Sequence, residues 1–300
     1  MQELCSPAVI REILTRHGFS FSKALGQNFL INPTVCPRMA DLSGADEFTG
    51  VLEIGPGIGV LTAELAKRAK KVVAVELDHR LPPVLAETLS DFSNVKIVEG
   101  DVLKLSLAKL IEEEFPGMEV AVCANLPYYI TSPVIMALLV QRLPVKAVTV
   151  MVQKEAAARI TAKPGTRQCG AISAAVHFYA EPETLFQVSR GSFLPPPNVD
   201  SAVIRLAVRK EPPVKVKSER LFFETVKAAF SMRRKTLLNC LSAGFRLPKG
   251  ELAPLMEAAG ISPNARAEQL TLPEFAALSD ALSPSFPEGK NLTPEQEKNS

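Results

Sequence analysis

Short β-rich runs alternate with helical patterns through the first half of this chain, and that rhythm narrows its possible folds more than any other feature. Val51–Gly55, Val72–Leu77, Val95–Gly100, Val120–Leu126 and Ala147–Val152 are apolar and rich in β-branched residues. Helical spacing appears between them, for example over Leu61–Ala69 and Pro133–Leu143. Continuous apolar runs such as Val120-Ala121-Val122-Cys123-Ala124 suit strands covered on both faces. Strands alternating with helices at this spacing imply a parallel sheet with helices on both sides. Two further stretches, Ala171–Tyr179 and Ser201–Val208, read as strands around the loop Pro195-Pro196-Pro197, for about seven strands in all.

The ends of the chain have a different character. Near the N-terminus, Ser6 can cap a short helix, Pro7 suits its first position and Gly18 its exit. Val9, Ile10, Ile13 and Leu14 give that helix one apolar face. Beyond Val208, Glu211-Pro212-Pro213 reads as a linker, and the periods that follow are helical: Leu221, Phe222, Val226, Ala229 and Phe230; Leu237, Leu238 and Leu241; Leu252, Leu255 and Met256. Thr271 and Glu274 have capping-box spacing for a last helix bearing Phe275, Leu278 and Leu282. The expected division is an α/β domain with an N-terminal arm over 1–208, a helical domain over 209–283 and a disordered tail over 284–300, which is rich in Pro, Glu, Lys, Asn and Ser.

The net charge is only +2, but it is unevenly spread. Residues 1–208 hold 20 Lys and Arg against 21 Asp and Glu, whereas residues 209–280 hold 12 against 8. The basic excess of the C-terminal part suits an anionic partner. The five cysteines (Cys5, Cys36, Cys123, Cys169 and Cys240) form no Cys-x-x-Cys pair, and no signal peptide is expected, so reduced thiols in a cytoplasm fit. The three histidines do not cluster with cysteines or carboxylates, so no metal is expected. No run approaches the ~18 apolar residues of a membrane span, so no membrane partner is expected. Without a heptad or an exposed apolar strand, the expected state is a monomer.

The chemistry-bearing residues sit where the strands end. Asn125-Leu126-Pro127-Tyr128 closes the fourth run, and Pro127 cannot donate a ladder hydrogen bond, so the strand should stop there. A side-chain amide, a carbonyl and an aromatic face then meet at the carboxyl end of a strand, the edge at which open α/β sheets bind ligands. An amide oxygen and the Leu126 carbonyl can both accept from one exocyclic amine while Tyr128 stacks on the ring; a plain tight turn is the alternative. Glu53-Ile54-Gly55-Pro56-Gly57-Ile58-Gly59 follows the first run and precedes a helix. Its glycines allow close backbone approach to a ligand, or simply a tight turn. Glu76, about twenty residues on, stands where an acid takes both ribose hydroxyls; a surface glutamate is the alternative. Asp101, after the third run, can accept from an adenine amino group or cap the next segment. Glycine loop, Glu76, Asp101 and Asn125 at four successive strand ends are much less expected by chance than any one of them.

These residues carry a family resemblance. Lys23-x-x-Gly26-Gln27-Asn28-Phe29-Leu30, Glu53-x-Gly55-Pro56-Gly57-x-Gly59-x-Leu61-Thr62, Gly100-Asp101, Asn125-Leu126-Pro127-Tyr128-Tyr129-Ile130, Gln153-Lys154-Glu155 and Phe193-x-Pro195-x-Pro197-x-Val199-x-Ser201 resemble the motifs of the bacterial small-subunit ribosomal RNA adenine dimethyltransferases from about Lys23 to Leu282. The resemblance implies a Rossmann-like, seven-stranded class I S-adenosylmethionine-dependent methyltransferase fold with a small C-terminal all-helical domain. It implies that Asn28, Leu30, Gly55, Glu76, Asp101 and Asn125 contact S-adenosylmethionine. The partner it implies is 16S ribosomal RNA in the immature small ribosomal subunit, dimethylated at the N6 of two adjacent adenosines in a 3'-terminal hairpin loop.

The expected chemistry is an in-line displacement on a base drawn out of its stack. Asn125 and the Leu126 carbonyl, set by Pro127, hold the N6 amine, and Tyr128 stacks on one face of the base. Phe193 is the candidate for the other face, with a place in the hydrophobic core as its alternative. For RNA, Lys23 of the arm and Arg233, Arg234 and Lys235, read as the start of a helix, are candidate phosphate contacts. Other functions share parts of the pattern. The erythromycin-resistance methyltransferases of large-subunit RNA more often carry Ile at the position of Leu126 and Asn at that of Tyr129. Protein-glutamine and DNA-adenine methyltransferases use an Asn/Asp-Pro-Pro-Tyr strand end, from which Leu126 departs. A non-catalytic ribosome assembly factor would have no need of Glu76, Asp101 and Asn125 together.

Overall fold

The structure, a computed structural model, describes residues 4–19 and 28–286. The elements in chain order are α1 (Pro7–Arg16), β1 (Phe29–Leu30), α2 (Val35–Leu42), β2 (Thr49–Ile54), α3 (Val60–Ala66), β3 (Lys71–Glu76), α4 (Pro82–Thr88) and β4 (Val95–Glu99). There follow α5 (Leu107–Glu114), β5 (Glu119–Asn125), α6 (Thr131–Val140), β6 (Val145–Gln153), α7 (Lys154–Ile160), α8 (Ala171–Tyr179), β7 (Ala180–Val188), β8 (Phe193–Leu194) and β9 (Ser201–Val208). The chain then turns helical, with α9 (Glu219–Ala229), α10 (Leu237–Phe245), α11 (Lys249–Ala258) and α12 (Leu272–Leu282).

Seven strands form one sheet in the order β4-β3-β2-β5-β6-β9-β7. From β4 to β6 all pairings are parallel, and β9 runs antiparallel to both its neighbours. All six residues of β2 are buried, and β3 and β5 are buried over nearly their whole length. Successive side chains point to opposite faces, so both faces of the sheet centre are covered. The chain leaves β2 toward β3 and β4, then returns to place β5 on the other side of β2. The strand order therefore reverses between β2 and β5, and a crevice opens at their carboxyl ends.

Contacts divide the chain into two compact units. The first comprises 1–158 and 180–209 and holds the sheet; the second comprises 159–179 and 210–300. This differs from the division at 208 read from sequence, because 159–179 groups with the helical unit. The cause is Ala171–Tyr179, which is helix α8 and not a strand. Apolar residues occupy nearly every position of that run, so periods of two and 3.6 fit it equally. Its aromatic partners decide the matter. Phe178 meets Phe222 at 4.9 Å and Phe223 at 5.1 Å between ring centroids, and Tyr179 stacks on Phe223 at 5.2 Å.

The seventh strand is β7 in its place. It lies at the sheet edge and carries Glu181, Pro182 and Glu183. Charge and proline protect an exposed edge from pairing, and they also hide the strand from a search for apolar alternation. The capping box forms as expected: Glu274 Oε2 accepts from the Thr271 backbone N–H at 2.7 Å and from its hydroxyl at 2.7 Å. Ser6 occupies the N-cap of α1, but its side chain makes no capping bond there. The expected tail, 284–300, falls outside the described residues from 287 on.

Candidate active site

The carboxyl ends of β2 to β5 share one register. Ile54 pairs with Val75 and with Ala124, and Glu76 pairs with Glu99. The segments after these strands therefore emerge side by side, and a cleft opens among them. Gly55, Gly57, Glu76, Asp101, Asn125 and Tyr128 all line it, as do Asn28, Leu30, Leu126, Pro127 and Phe193. The described residues predicted to hold cofactor and base thus converge on one cavity. Lys23 lies outside the described residues.

The glycine turn is shaped by close approach. Gly57 has φ +60°, and a Cβ there would stand 3.2 Å from the Phe29 ring. Gly59 has φ +91°, and a Cβ would stand 3.0 Å from Leu89. A side chain at either position meets both backbone strain and a neighbour. The turn is tied to the sheet by the Gly55 N–H, which donates to the Val75 carbonyl at 2.9 Å.

Two carboxylates sit under this turn. Glu76 is 7% exposed, and its Oε1 accepts from the Asp78 N–H at 2.8 Å. Burial raises its pKa, backbone donors oppose that, and Asp78 adds to it. Glu53 on β2 is 1% exposed and lines the same cleft. Its Oε2 has no hydrogen-bond partner among the described residues. Burial pushes its pKa up to about 8; the nearby Thr62 hydroxyl, which falls short of hydrogen-bond geometry, opposes the shift, and Glu76 adds to it. Sequence reasoning quoted Glu53 as the head of the glycine motif and gave it no role. The available signal was one acid within an otherwise apolar strand, immediately before a glycine turn.

The other residues divide as follows. Asp101 borders the cleft, and its Oδ1 accepts from the Leu103 N–H at 3.0 Å within a local turn; the next helix, α5, begins later and has Ser106 at its N-cap. The Asn125 side chain makes no hydrogen bond among the described residues and is half-buried at the cleft wall. The Tyr128 hydroxyl lies 2.7 Å from Ser201 Oγ. Phe193 is 3% exposed and belongs to the hydrophobic core as well as to the cleft wall; on β8 it stands opposite Leu30 of β1. Arg233, Arg234 and Lys235 do not start a helix. They form an exposed turn between α9 and α10, which begins at Leu237.

A sheet of this order, with a glycine turn, strand-end acids and an amide gathered at its carboxyl edge, defines a class I methyltransferase. The chain belongs to the ribosomal RNA adenine dimethylase family, whose profile matches residues 18–283. It is 50% identical over 287 residues to the ribosomal RNA small subunit methyltransferase A of Geobacillus sp. (strain WCH70), a match covering 94% of this chain and 98% of that protein. The protein of the same name from Lysinibacillus sphaericus (strain C3-41) is 49% identical over 291 residues, covering 95% and 99%. Among solved structures, a dimethyladenosine transferase from Plasmodium falciparum is similar with a TM-score of 0.70 at 26% identity, covering 83% of this chain and 95% of that one. The 23S rRNA methyltransferase ErmE is similar with a TM-score of 0.64 at 28% identity, covering 85% and 99%. The chain is accordingly an enzyme, a methyltransferase of that family. No helix among the described residues is long and apolar enough to cross a membrane.

Proposed function

We propose that this enzyme uses S-adenosylmethionine to dimethylate the N6 amines of two adjacent adenosines in a 3'-terminal hairpin loop of 16S ribosomal RNA, as a cytoplasmic monomer acting on the immature small subunit. The observation that carries the chemistry is the Asn125 amide at the cleft wall, without a side-chain hydrogen bond among the described residues, with Tyr128 beside it and buried carboxylates in the same cavity. The small-subunit assignment rests on relatives about 50% identical, against 28% for the large-subunit enzyme.

The residues fit the cofactor. Glu53 Oε2 is a buried acceptor without a hydrogen-bond partner among the described residues, suited to a cationic amino group. Glu76 stands where ribose hydroxyls need an acceptor, and Asp101 where an adenine amine needs one. Asn28 and the backbone at Leu30 and Gly55 complete the wall. S-adenosylmethionine, when bound, supplies an electrophilic methyl group on a positively charged sulfur. The protein's part is orientation. Asn125 and the Leu126 carbonyl accept from the target amine and direct its lone pair out of the ring conjugation, while Tyr128 and Phe193 hold the base flat. No strong base is required, because the amine becomes acidic as it gains a methyl group.

The test is to incubate unmethylated small-subunit particles with enzyme and donor and map dimethyladenosine. Two adjacent modified adenosines near the RNA 3' end are expected; modification confined to large-subunit RNA refutes the assignment. The basic turn gives a second expectation. Neutralising one phosphate contributes about −0.7 to −0.9 to the slope of log affinity against log salt. Converting Arg233, Arg234 and Lys235 to alanine should flatten that slope by roughly two units and leave cofactor binding intact. An unchanged slope removes this turn from the RNA interface.

A further inference from the structure

Tyr128 and Phe193 reach the cleft from different parts of the chain. Tyr128 follows β5, in the parallel part of the sheet, within a single 3-10 turn over Tyr128–Ile130. Phe193 belongs to the connection between β7 and β9, the antiparallel end of the sheet. A side-chain bond joins the two regions: the Tyr128 hydroxyl lies 2.7 Å from Ser201 Oγ.

Ser201 is a fixed point. It is fully buried and opens β9, where the register sets it between Gln153 of β6 and Val188 of β7. Its neighbour Asp200 is held twice, accepting from the Arg190 N–H through Oδ1 at 2.9 Å and from the Lys154 N–H through its carbonyl at 2.9 Å. A 3-10 turn of three residues has no comparable rigidity. A part-buried phenol needs a partner, and the position of that partner sets the tilt of the ring. Burial also raises the Tyr128 pKa, with the Ser201 bond opposing and Asp200 adding, so the phenol stays protonated and can donate.

We infer that Ser201 is a positioning residue for methyl transfer: its hydroxyl ties the Tyr128 ring to the wall that carries Phe193, and so holds the two aromatic sides of the base site in register. The inference rests on the proposed base-stacking reading of Tyr128. A purely structural role would show in stability and would be indifferent to the rate of the chemical step.

A double-mutant cycle on single-turnover methylation, at saturating donor and RNA, separates these roles. Ser201→Ala and Tyr128→Phe should each slow methylation roughly tenfold, the worth of one buried hydrogen bond expressed as rate. The double variant should be no slower than either single one, and donor affinity should stay within about twofold throughout. Single variants at the wild-type rate overturn the inference, as does multiplicative slowing in the double variant or a loss of donor affinity parallel to the loss of rate. Tyr128→Phe is nearly isosteric and breaks the bond from the other side, so its rate decides the matter alone if Ser201→Ala does not fold. Wild-type enzyme that methylates no RNA overturns the base-stacking reading together with this inference. Active wild type with unaffected variants overturns the inference alone.

Discussion

Asn125→Ala yields a folded protein that methylates RNA about a thousandfold more slowly, while its affinity for S-adenosylmethionine changes by less than about tenfold. The fold survives because Asn125 is half-buried, ends β5 and makes no side-chain hydrogen bond among the described residues. Truncation there removes no internal partner and leaves no buried group unpaired. The rate falls because a preorganised acceptor aimed at a developing charge is worth about 10²–10³ in rate. The free N6 lone pair is delocalised into the purine, and on the proposed mechanism the Asn125 oxygen draws it out. Measurement requires purified variant, a thermal melt, donor binding by calorimetry and methyl incorporation into small-subunit RNA. Near-normal turnover would remove Asn125 from the mechanism.

The parts of this molecule that were legible in its sequence are those set by burial on both faces. β2, β3 and β5 announce themselves because their neighbours on either side demand apolar residues at every position. The residues that line the cleft were legible for a related reason: polar groups at the ends of such strands stand out, and the parallel register gathers them. What escaped was decided elsewhere in the chain. Helix α8 and strand β7 adjoin at Tyr179 and Ala180; the first was misread as a strand and the second missed, each for lack of its partner. The aromatic cluster with Phe222 and Phe223 makes 171–179 helical, and the edge position of β7 makes Glu181 and Pro182 acceptable in a strand. The Arg233-Arg234-Lys235 run has good helix formers, yet α10 waits for Leu237, the first fully buried residue after the turn. Glu53 was visible as a letter but not as a buried carboxylate, because the absence of a partner exists only in three dimensions.

That carboxylate carries the second large expectation. In the protein without cofactor, Glu53 keeps its proton to about pH 8, whereas in the unfolded chain it ionises near 4.5. Between those values the folded state binds the extra proton, so the contribution of Glu53 to stability falls as pH rises through this window and is fully lost above the folded pKa. Glu53→Gln removes the titration. At pH 5 variant and wild type should melt nearly alike; at pH 8 the variant should be more stable, by roughly 3–4 kcal/mol. Cofactor binding should move the opposite way. A cationic ligand beside Glu53 favours its ionised form, so wild-type protein at pH 7 should release close to one proton per donor bound, and its affinity should rise with pH up to about 8. The variant should bind more weakly and release none, which calorimetry in two buffers of different ionisation enthalpy measures directly. A wild-type protein that releases no proton, together with a variant no more stable at pH 8, would place the charge on Glu53 before the cofactor arrives and separate this residue from recognition of the cation. A protein that gains stability on losing an acid, and loses its ligand in the same step, has stored folding free energy in the one carboxylate that its apolar strand had no structural reason to carry.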